Sequence, residues 1–403
     1  MRYLNQKNLI YFTILLTPLY LIRFELFNLP TNLLEVFILL NLCLCFSLSN
    51  TKKIKTNLQK LPWPLVLSIS LILLGILLSI FTNNAILIGL GILKGWFILP
   101  LLFAHLLYTT LVNKTELERA LLSLYLSVSS VALFSLFYKI FNFVTFDNRL
   151  SAFYLSPNHL ALYLAPGALL GFYFLAKAFR ESSLLLKGLT SLSFAIILLA
   201  LFYTYSYATW AALCLSLLLT YFFYFSKKQF SLLLIATTGF LLLFTLFQFN
   251  TPKFSSLIHF SKRSSLASRL MIWRVSEKLL HEKPLTGIGP GNFQTNYLAL
   301  QPLFPPYLEW AVPQPHNLFL AFWLQASLLG LFGFSLLLFF IFYTLLKKIK
   351  KTPLAGVLFS FFLYTTLHGL VDTPFWKNDL AFIFWIFVAF FGIYLLKLLK
   401  KAS

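Results

Sequence analysis

Runs of apolar residues recur along the whole chain, separated by short polar joints. About 20 such residues cross a bilayer core as a helix. On that measure spans fall near 8–27, 31–49, 62–81, 85–112, 120–141, 157–179, 189–205, 207–225, 230–249, 316–346, 353–371 and 380–397. Twelve spans place both termini on one side of a membrane. The division inside 189–225 is the least marked, because only the Tyr-rich YTYSYATW separates two runs. The pattern predicts an all-α integral membrane fold. Transmembrane helices 1–9 occupy 1–249, a long polar loop occupies 250–315, and helices 10–12 occupy 316–403, together one integrated domain.

Charge tests this topology. Arg2 and Lys7; Lys52, Lys53, Lys55 and Lys60; Lys114 and Arg119; Lys177, Arg180 and Lys187; Lys227 and Lys228; Lys347, Lys348, Lys350 and Lys351; and Lys397, Lys400 and Lys401 fall on every second connection and at both ends. The short connections between them hold only Arg149 and Lys377. Basic residues collect on the cytoplasmic side of membrane proteins. The alternation therefore puts both termini in the cytoplasm and the 250–315 loop outside. Asn113, in an NKT triplet, then lies on the cytoplasmic side, where it is no glycosylation acceptor.

Composition supports the membrane assignment. The 403 residues are 59% hydrophobic and 11% charged, and mean hydropathy is +0.84, which excludes a soluble domain of this length. The 47 Phe and 19 Tyr suit lipid-facing and interfacial surfaces. No cleavage site follows the first apolar segment, so it is expected to remain as a span. Cys43, Cys45 and Cys214 lie inside apolar runs and are expected to be buried small residues rather than disulfide partners or ligands. The net charge of +21 is scattered between apolar spans, which excludes a nucleic-acid footprint.

The loop departs from the charge bias. It carries Lys253, Lys262, Arg263, Arg269, Arg274, Lys278 and Lys283 against Glu277, Glu282 and Glu309. A basic external loop fits an anionic partner such as phosphate, diphosphate or a lipid headgroup; a solvated basic surface near anionic headgroups is the plainer account. Its first half predicts an amphipathic helix capped by Ser264 or Ser265 and ended by Pro284 and Gly287. At 100° per residue Ile272, Trp273, Leu279 and Leu280 share a face, with Arg269 in its middle. Arg274, Glu277, Lys278 and His281 lie on the other side, at spacings that let them pair. A guanidinium among apolar neighbours needs an anion, either a structural carboxylate or a substrate phosphate.

Other polar groups gather at the predicted outer mouths of spans. TGIGPGNF at 286–293 follows a helix rather than a strand and lacks Lys-Ser/Thr, so it predicts a tight turn and not a nucleotide loop. His316 follows Pro313 and Pro315 and, with Asn317, opens the next span; a histidine there can take a proton from a sugar hydroxyl or anchor a helix end. In NRLSAFYLSPNHLALYL, at 148–164, Arg149 precedes Asn158 and His159 at another span entry. Asp372 in HGLVDTPFW is a third such group, for which helix capping is an equal account. Arg23 and Glu25 sit near the outer end of the first span, within snorkelling reach of the interface. Lys94 and His105 lie deeper, where a proton or ion path is one reading and internal hydrogen bonding is the expected one. Asp147, Glu309, Asp372 and Asp379 are scattered, and no metal-ligand spacing links them.

Together these pieces resemble the O-antigen ligase/polymerase superfamily of bacterial membrane glycosyltransferases. The likeness rests on NRLSAFYLSPNHLA, SRLMIWRVSEKLLHEKPLTGIGPGNF, the PHN of 315–317 leading into LFLAFWLQASLLGLFG, and HGLVDTPFW. It covers roughly 140–390. It implies a GT-C-like helical fold of about twelve spans in the bacterial inner membrane, with the active site on the periplasmic face. It implies transfer of a glycan from undecaprenyl diphosphate, without a metal or other cofactor and with inversion. The acceptor is the lipid A core in ligases and a second lipid-linked repeat in polymerases. The family's loop arginine matches Arg269 and would hold the diphosphate; its histidine matches His316 and would act as base or orient the acceptor. Arg149, Arg274, Trp273, Asn158, Asn317 and Asp372 complete the expected substrate-contacting set. The chain departs from the family at YSYATW, where Tyr207 stands in place of a second arginine. Either Arg149, Arg274 or the Lys262–Arg263 pair then supplies that charge, or the chain is a divergent member with another donor or acceptor. A transporter or flippase is the reading from another class, and it predicts paired polar residues at mid-bilayer and broken helices in both halves. A non-catalytic assembly component is a third.

Overall fold

The computed structural model describes residues 5–26, 29–249, 251, 254–255, 264–305, 312–347 and 352–395, apart from 49–60. Lys262, Arg263, Lys253, Glu309, Arg2, the basic residues of 51–60 and 348–351, and those beyond 395 lie outside the described residues. Helices α1 (Gln6–Leu15), α2 (Leu33–Leu48), α3 (Trp63–Phe81), α4 (Ile86–Thr110), α5 (Lys114–Ile140), α6 (Pro157–Glu181), α7 (Leu184–Tyr203), α8 (Tyr207–Tyr224) and α9 (Lys227–Gln248) precede the polar loop. The loop contributes α10 (Ser265–Glu282) and α11 (Phe293–Leu300). Helices α12 (Leu318–Lys347), α13 (Pro353–His368) and α14 (Asn378–Ile393) follow.

A helix that is apolar on every side belongs in the middle of a bundle. Helix α14 is such a helix, and Asp379–Ile393 are all buried. Its aromatic side chains pack against neighbours on several sides, as in the stacked pair Phe361–Phe387, with ring centroids 3.6 Å apart. Helix α4 carries a π-helical turn at Leu93–Ile98, just before Pro100. Proline offers no N–H to the Trp96 carbonyl, and the Trp385 indole of α14 donates to that carbonyl at 3.1 Å. The closest helix pair is α3 with α12, because Gly75 lies against the α12 backbone; a Cβ there would sit 2.3 Å from the Gly330 nitrogen. Helix α9, by contrast, is 6% buried within its apolar stretch and forms an outer wall.

Among the described residues eight helices, α3 to α9 and α12, are long and apolar enough to cross a membrane. Shorter apolar helices at Leu33–Cys45, Pro353–His368 and Asn378–Ile393 match three more predicted spans. The first predicted span, 8–27, takes another form: α1, a 3-10 turn at Thr17–Leu21, then strand β1 (Arg23–Leu26) paired antiparallel with β2 (Leu29–Asn32). This hairpin corrects the all-helical expectation locally and places Arg23 and Glu25 on an exposed strand. Lys94 is bonded internally as expected, pairing with Glu35 at 2.9 Å and donating to the Pro30 carbonyl. The cysteines are unpaired, but Cys43 is exposed and Cys45 and Cys214 are only half-buried, which corrects the expectation of burial. In an apolar helix a lipid-facing cysteine is as acceptable as a core one.

Connections alternate between two ends of the bundle. Those at 82–85, 141–156, 204–206, 264–317 and 369–377 meet at one end through Lys283–Asn83, Arg149–Thr204 and Arg269–Val371 contacts. At the other end Lys7 of α1 pairs with Glu116 of α5, and Tyr224 of α8 donates to the Leu345 carbonyl of α12.

Candidate active site

Helix α10 forms because Ser264 caps it, accepting from the Ala267 N–H. Met271, Ile272, Val275, Leu279 and Leu280 then make one buried face. They pack with Ile288, Phe293, Tyr297, Val312 and Leu324 into a small core separate from that of the bundle. Arg269 projects from the edge of this face with its side chain 14% exposed. Its Nε donates to the Val371 carbonyl at 2.6 Å and its Nη1 to the Ser265 carbonyl at 3.3 Å.

The Thr286–Gly291 turn fixes this small core to the bundle. Helix α12 is broken at Ala326–Ser327, where Ser327 has φ +65°. The Leu324 carbonyl instead accepts from Ile288 and Gly289 of the turn, at 2.7 and 3.2 Å, and Leu328 N–H donates to Leu285. Gly287 is required there: φ is +66° and a Cβ would lie 2.3 Å from the Leu324 oxygen. The expected tight turn is thus also the patch that completes a broken helix.

His316 stands on the strap leading into α12. Trp273 of α10 donates to the Pro315 carbonyl at 3.1 Å. Asn317 caps α12 by accepting from Phe319 and Leu320 N–H and donates to the Leu370 carbonyl. The Leu318 N–H donates to the Gly369 carbonyl. Clamped on both sides, His316 adopts φ +46°, a left-handed conformation that costs a non-glycine residue free energy. The strain places its Nδ1 3.1 Å from Asp372 Oδ1. Asp372 Oδ2 faces Arg269 Nη2 at 3.8 Å, and Oδ1 also accepts from the Thr373 N–H. Burial alone would raise the Asp372 carboxyl, but His316 and Arg269 outweigh it and hold the group well below the usual carboxylate range. With Nδ1 committed to an anion, Nε2 has no hydrogen-bond partner among the described residues, as a base oriented by a carboxylate requires.

Arg149 joins this end of the bundle from the α5–α6 connection. A turn with Asn148 at φ +59° aims it inward. It donates from Nη2 to Asn158 at 2.6 Å and from Nε to the Thr204 carbonyl at 2.8 Å, with Asp147 3.8 Å away. Burial pulls its pKa down, Asp147 offsets part of this, and Arg269 adds to the lowering. Tyr207 and Asp372 also act on it electrostatically. Arg149 thus lies within electrostatic range of both Arg269 and Asp372.

Residues 192–338 match the O-antigen ligase family model. The O-antigen ligase match takes in Arg269, Trp273, Arg274, His316 and Asn317, while Arg149, Asn158 and Asp372 lie outside it. No curated protein matches the chain.

The expected residues thus divide. Arg269, His316 and Asp372 come together directly, with Arg149 and Asn158 as a bonded pair beside them. Asp372 does not cap α14, whose cap position is Lys377, with no side-chain capping bond. Trp273 and Asn317 hold the strap in place. Arg274 points away: it is exposed, on the face where His281 pairs with Glu277 and Lys278 with Glu282. Of the candidates within the described residues to replace the arginine absent at Tyr207, Arg149 is the one lying against that corner. Among the described residues no three His, Cys, Asp or Glu side chains are grouped for a metal ion.

Sequence reasoning missed a second cluster close by. His159 Nε2 lies 3.2 Å from both Asp379 oxygens, and Lys377 Nζ lies 2.9 Å from His159 Nδ1. Tyr20 reaches the same Nε2 at 3.4 Å. Burial lowers the Lys377 pKa, against the pull of Asp379 and Asp372. The signals in the sequence were His159 at a span entry and Lys377 among the few basic residues on the predicted outer connections.

Proposed function

We propose that this membrane protein transfers a glycan from undecaprenyl diphosphate to an acceptor on the periplasmic face, in the manner of an O-antigen ligase acting on a lipid A core. The supporting observation is the single carboxylate, Asp372, that binds both a guanidinium and an imidazole, with a second, half-buried arginine in electrostatic range. In this reading Arg269 and Arg149 hold the diphosphate and neutralise the charge that develops as it leaves. The acceptor hydroxyl attacks the anomeric carbon from the opposite side and inverts it. The bond between that carbon and the diphosphate oxygen breaks, and undecaprenyl diphosphate departs with the bonding pair. His316 Nε2 takes the hydroxyl proton, and Asp372 stabilises the imidazolium that results. No group beyond these side chains enters the step. The twelve-span topology with cytoplasmic termini belongs to the same proposal.

Broken α12 does not favour a transporter. Its break lies one short helical stretch from the strap, and its open carbonyl is filled by the loop rather than left to coordinate an ion. The test gives purified protein a lipid-diphosphate glycan with either lipid A core or a second lipid-linked repeat. Product on the lipid A core supports ligation, and a lengthened lipid-linked chain makes the protein a polymerase. Neither product, with no donor binding, refutes the proposal.

A further inference from the structure

At the end of the bundle opposite Arg269 and His316, a half-open cavity of about 300 Å³ lies between α6, α8 and α13, where α9 begins. Phe172, Leu169 and Leu217 line one part, and Arg180, Tyr221 and Gln229 line another. Deeper in, the hydroxyls of Thr220 and Ser360 satisfy each other at 2.8 Å, so the floor makes no demand for a polar ligand. The mouth is different. Arg180 is exposed, and among the described residues it forms no ion pair; its one hydrogen bond runs from Nε to the Ala176 carbonyl of its own helix. Nearby Lys177 and Lys114 are already paired, with Glu118. Lys227 and Lys228, in the first turn of α9, are exposed beside Gln229. The N-termini of α9 and α13 open at this mouth and add partial positive charge to it.

We propose that this cavity binds an anionic glycerophospholipid, with the phosphate at Arg180 and the first part of an acyl chain between Phe172, Leu169 and Leu217. A cavity that is basic at the mouth and apolar within matches an amphiphile rather than a soluble anion, and it lies among helices that face lipid. Basic pockets between transmembrane helices hold anionic headgroups in this way. The site is independent of the transfer reaction and lies at the other end of α6, α8 and α13.

The experiment delipidates the purified full-length protein. It then measures retention of phosphatidylglycerol and of phosphatidylcholine with the same acyl chains, by mass spectrometry of the intact complex. Wild type is expected to retain phosphatidylglycerol about fivefold more strongly, the contribution of one surface-level arginine. Arg180→Gln should remove that preference. Gly356→Leu should block both lipids, since a Cβ there meets Phe225 and Thr220 only at 3.5 Å and the rest of the side chain extends into the cavity. Inorganic phosphate alone should not displace the bound lipid. Equal retention of the two lipids, or an unchanged preference in Arg180→Gln, overturns the proposal, as does displacement by phosphate. Helical circular dichroism on each variant confirms that a lost lipid is not a lost fold.

Discussion

Among the described residues one end of the bundle contains two histidine–aspartate pairs, and the difference between them identifies the one suited to chemistry. His159–Asp379 is sealed: the side chains are 5% and 0% exposed, and both ring nitrogens are used. Lys377 can only donate, so Nδ1 of His159 accepts and Nε2 carries the proton toward Asp379. That ring is locked between a cation and an anion, with no nitrogen left for a substrate. His316–Asp372 uses one nitrogen, leaves the imidazole 31% exposed, and sets a guanidinium on the other carboxylate oxygen. The first pair ties α6 to α14 through the bundle core. The second ties a loop helix, a strap and the α13–α14 connection at its edge. On the proposed reading the same two residue types serve cohesion in one place and proton transfer in the other, and burial with the count of committed nitrogens separates the two.

Substitutions can break this contrast. The largest effect is expected at His316→Ala, which should slow glycan transfer by about 10²–10⁴ with normal yield of folded protein, measured as product formed per folded molecule. Asp379→Ala should do the reverse. Loss of a partner from a buried ion pair costs about 3–5 kcal/mol, so thermal unfolding should shift downward while transfer per folded molecule persists. Asp372→Asn sharpens the comparison through pH. The folded carboxyl titrates below its unfolded value of about 3.9, so its stabilising contribution is present above that pH and is lost as pH falls beneath it. The unfolding midpoint of Asp372→Asn should therefore trail wild type at neutral pH and converge with it only below about pH 4. The smallest effect is expected at Arg274→Ala. That exposed residue should change stability by less than about 0.5 kcal/mol and leave transfer unaltered; a large loss of transfer would move the donor site to the opposite face of α10.

What could be foreseen from the sequence follows the range of each interaction. The loop helix was legible because its cap at Ser264 and its apolar spacing are local. Arg269 was legible as a polar group on an apolar helix face, and His316 as one at the opening of an apolar span behind two prolines. The partners of His159 were not, because Asp379 and Lys377 are far away in the chain and nothing local marks them. The broken helix at Ala326–Ser327 had no Pro or Gly to announce it; the break exists because the Thr286–Gly291 turn replaces its hydrogen bonds. The Arg23–Asn32 hairpin read as the end of a span, since an apolar strand and an apolar helix look alike over so few residues. Hydropathy also left Cys43 misplaced, because it does not separate a side chain facing lipid from one facing the core.

The central claim is that Arg269 and His316 serve one site in different roles, binding the donor and moving a proton. Donor affinity measured beside single-turnover transfer tests it in the variants His316→Ala and Arg269→Ala. His316→Ala should bind a lipid-diphosphate glycan within about threefold of wild type yet transfer it at least about a hundredfold more slowly. Arg269→Ala should lose donor affinity as well. Transfer at the wild-type rate by His316→Ala, or undiminished donor affinity in Arg269→Ala, would contradict the account.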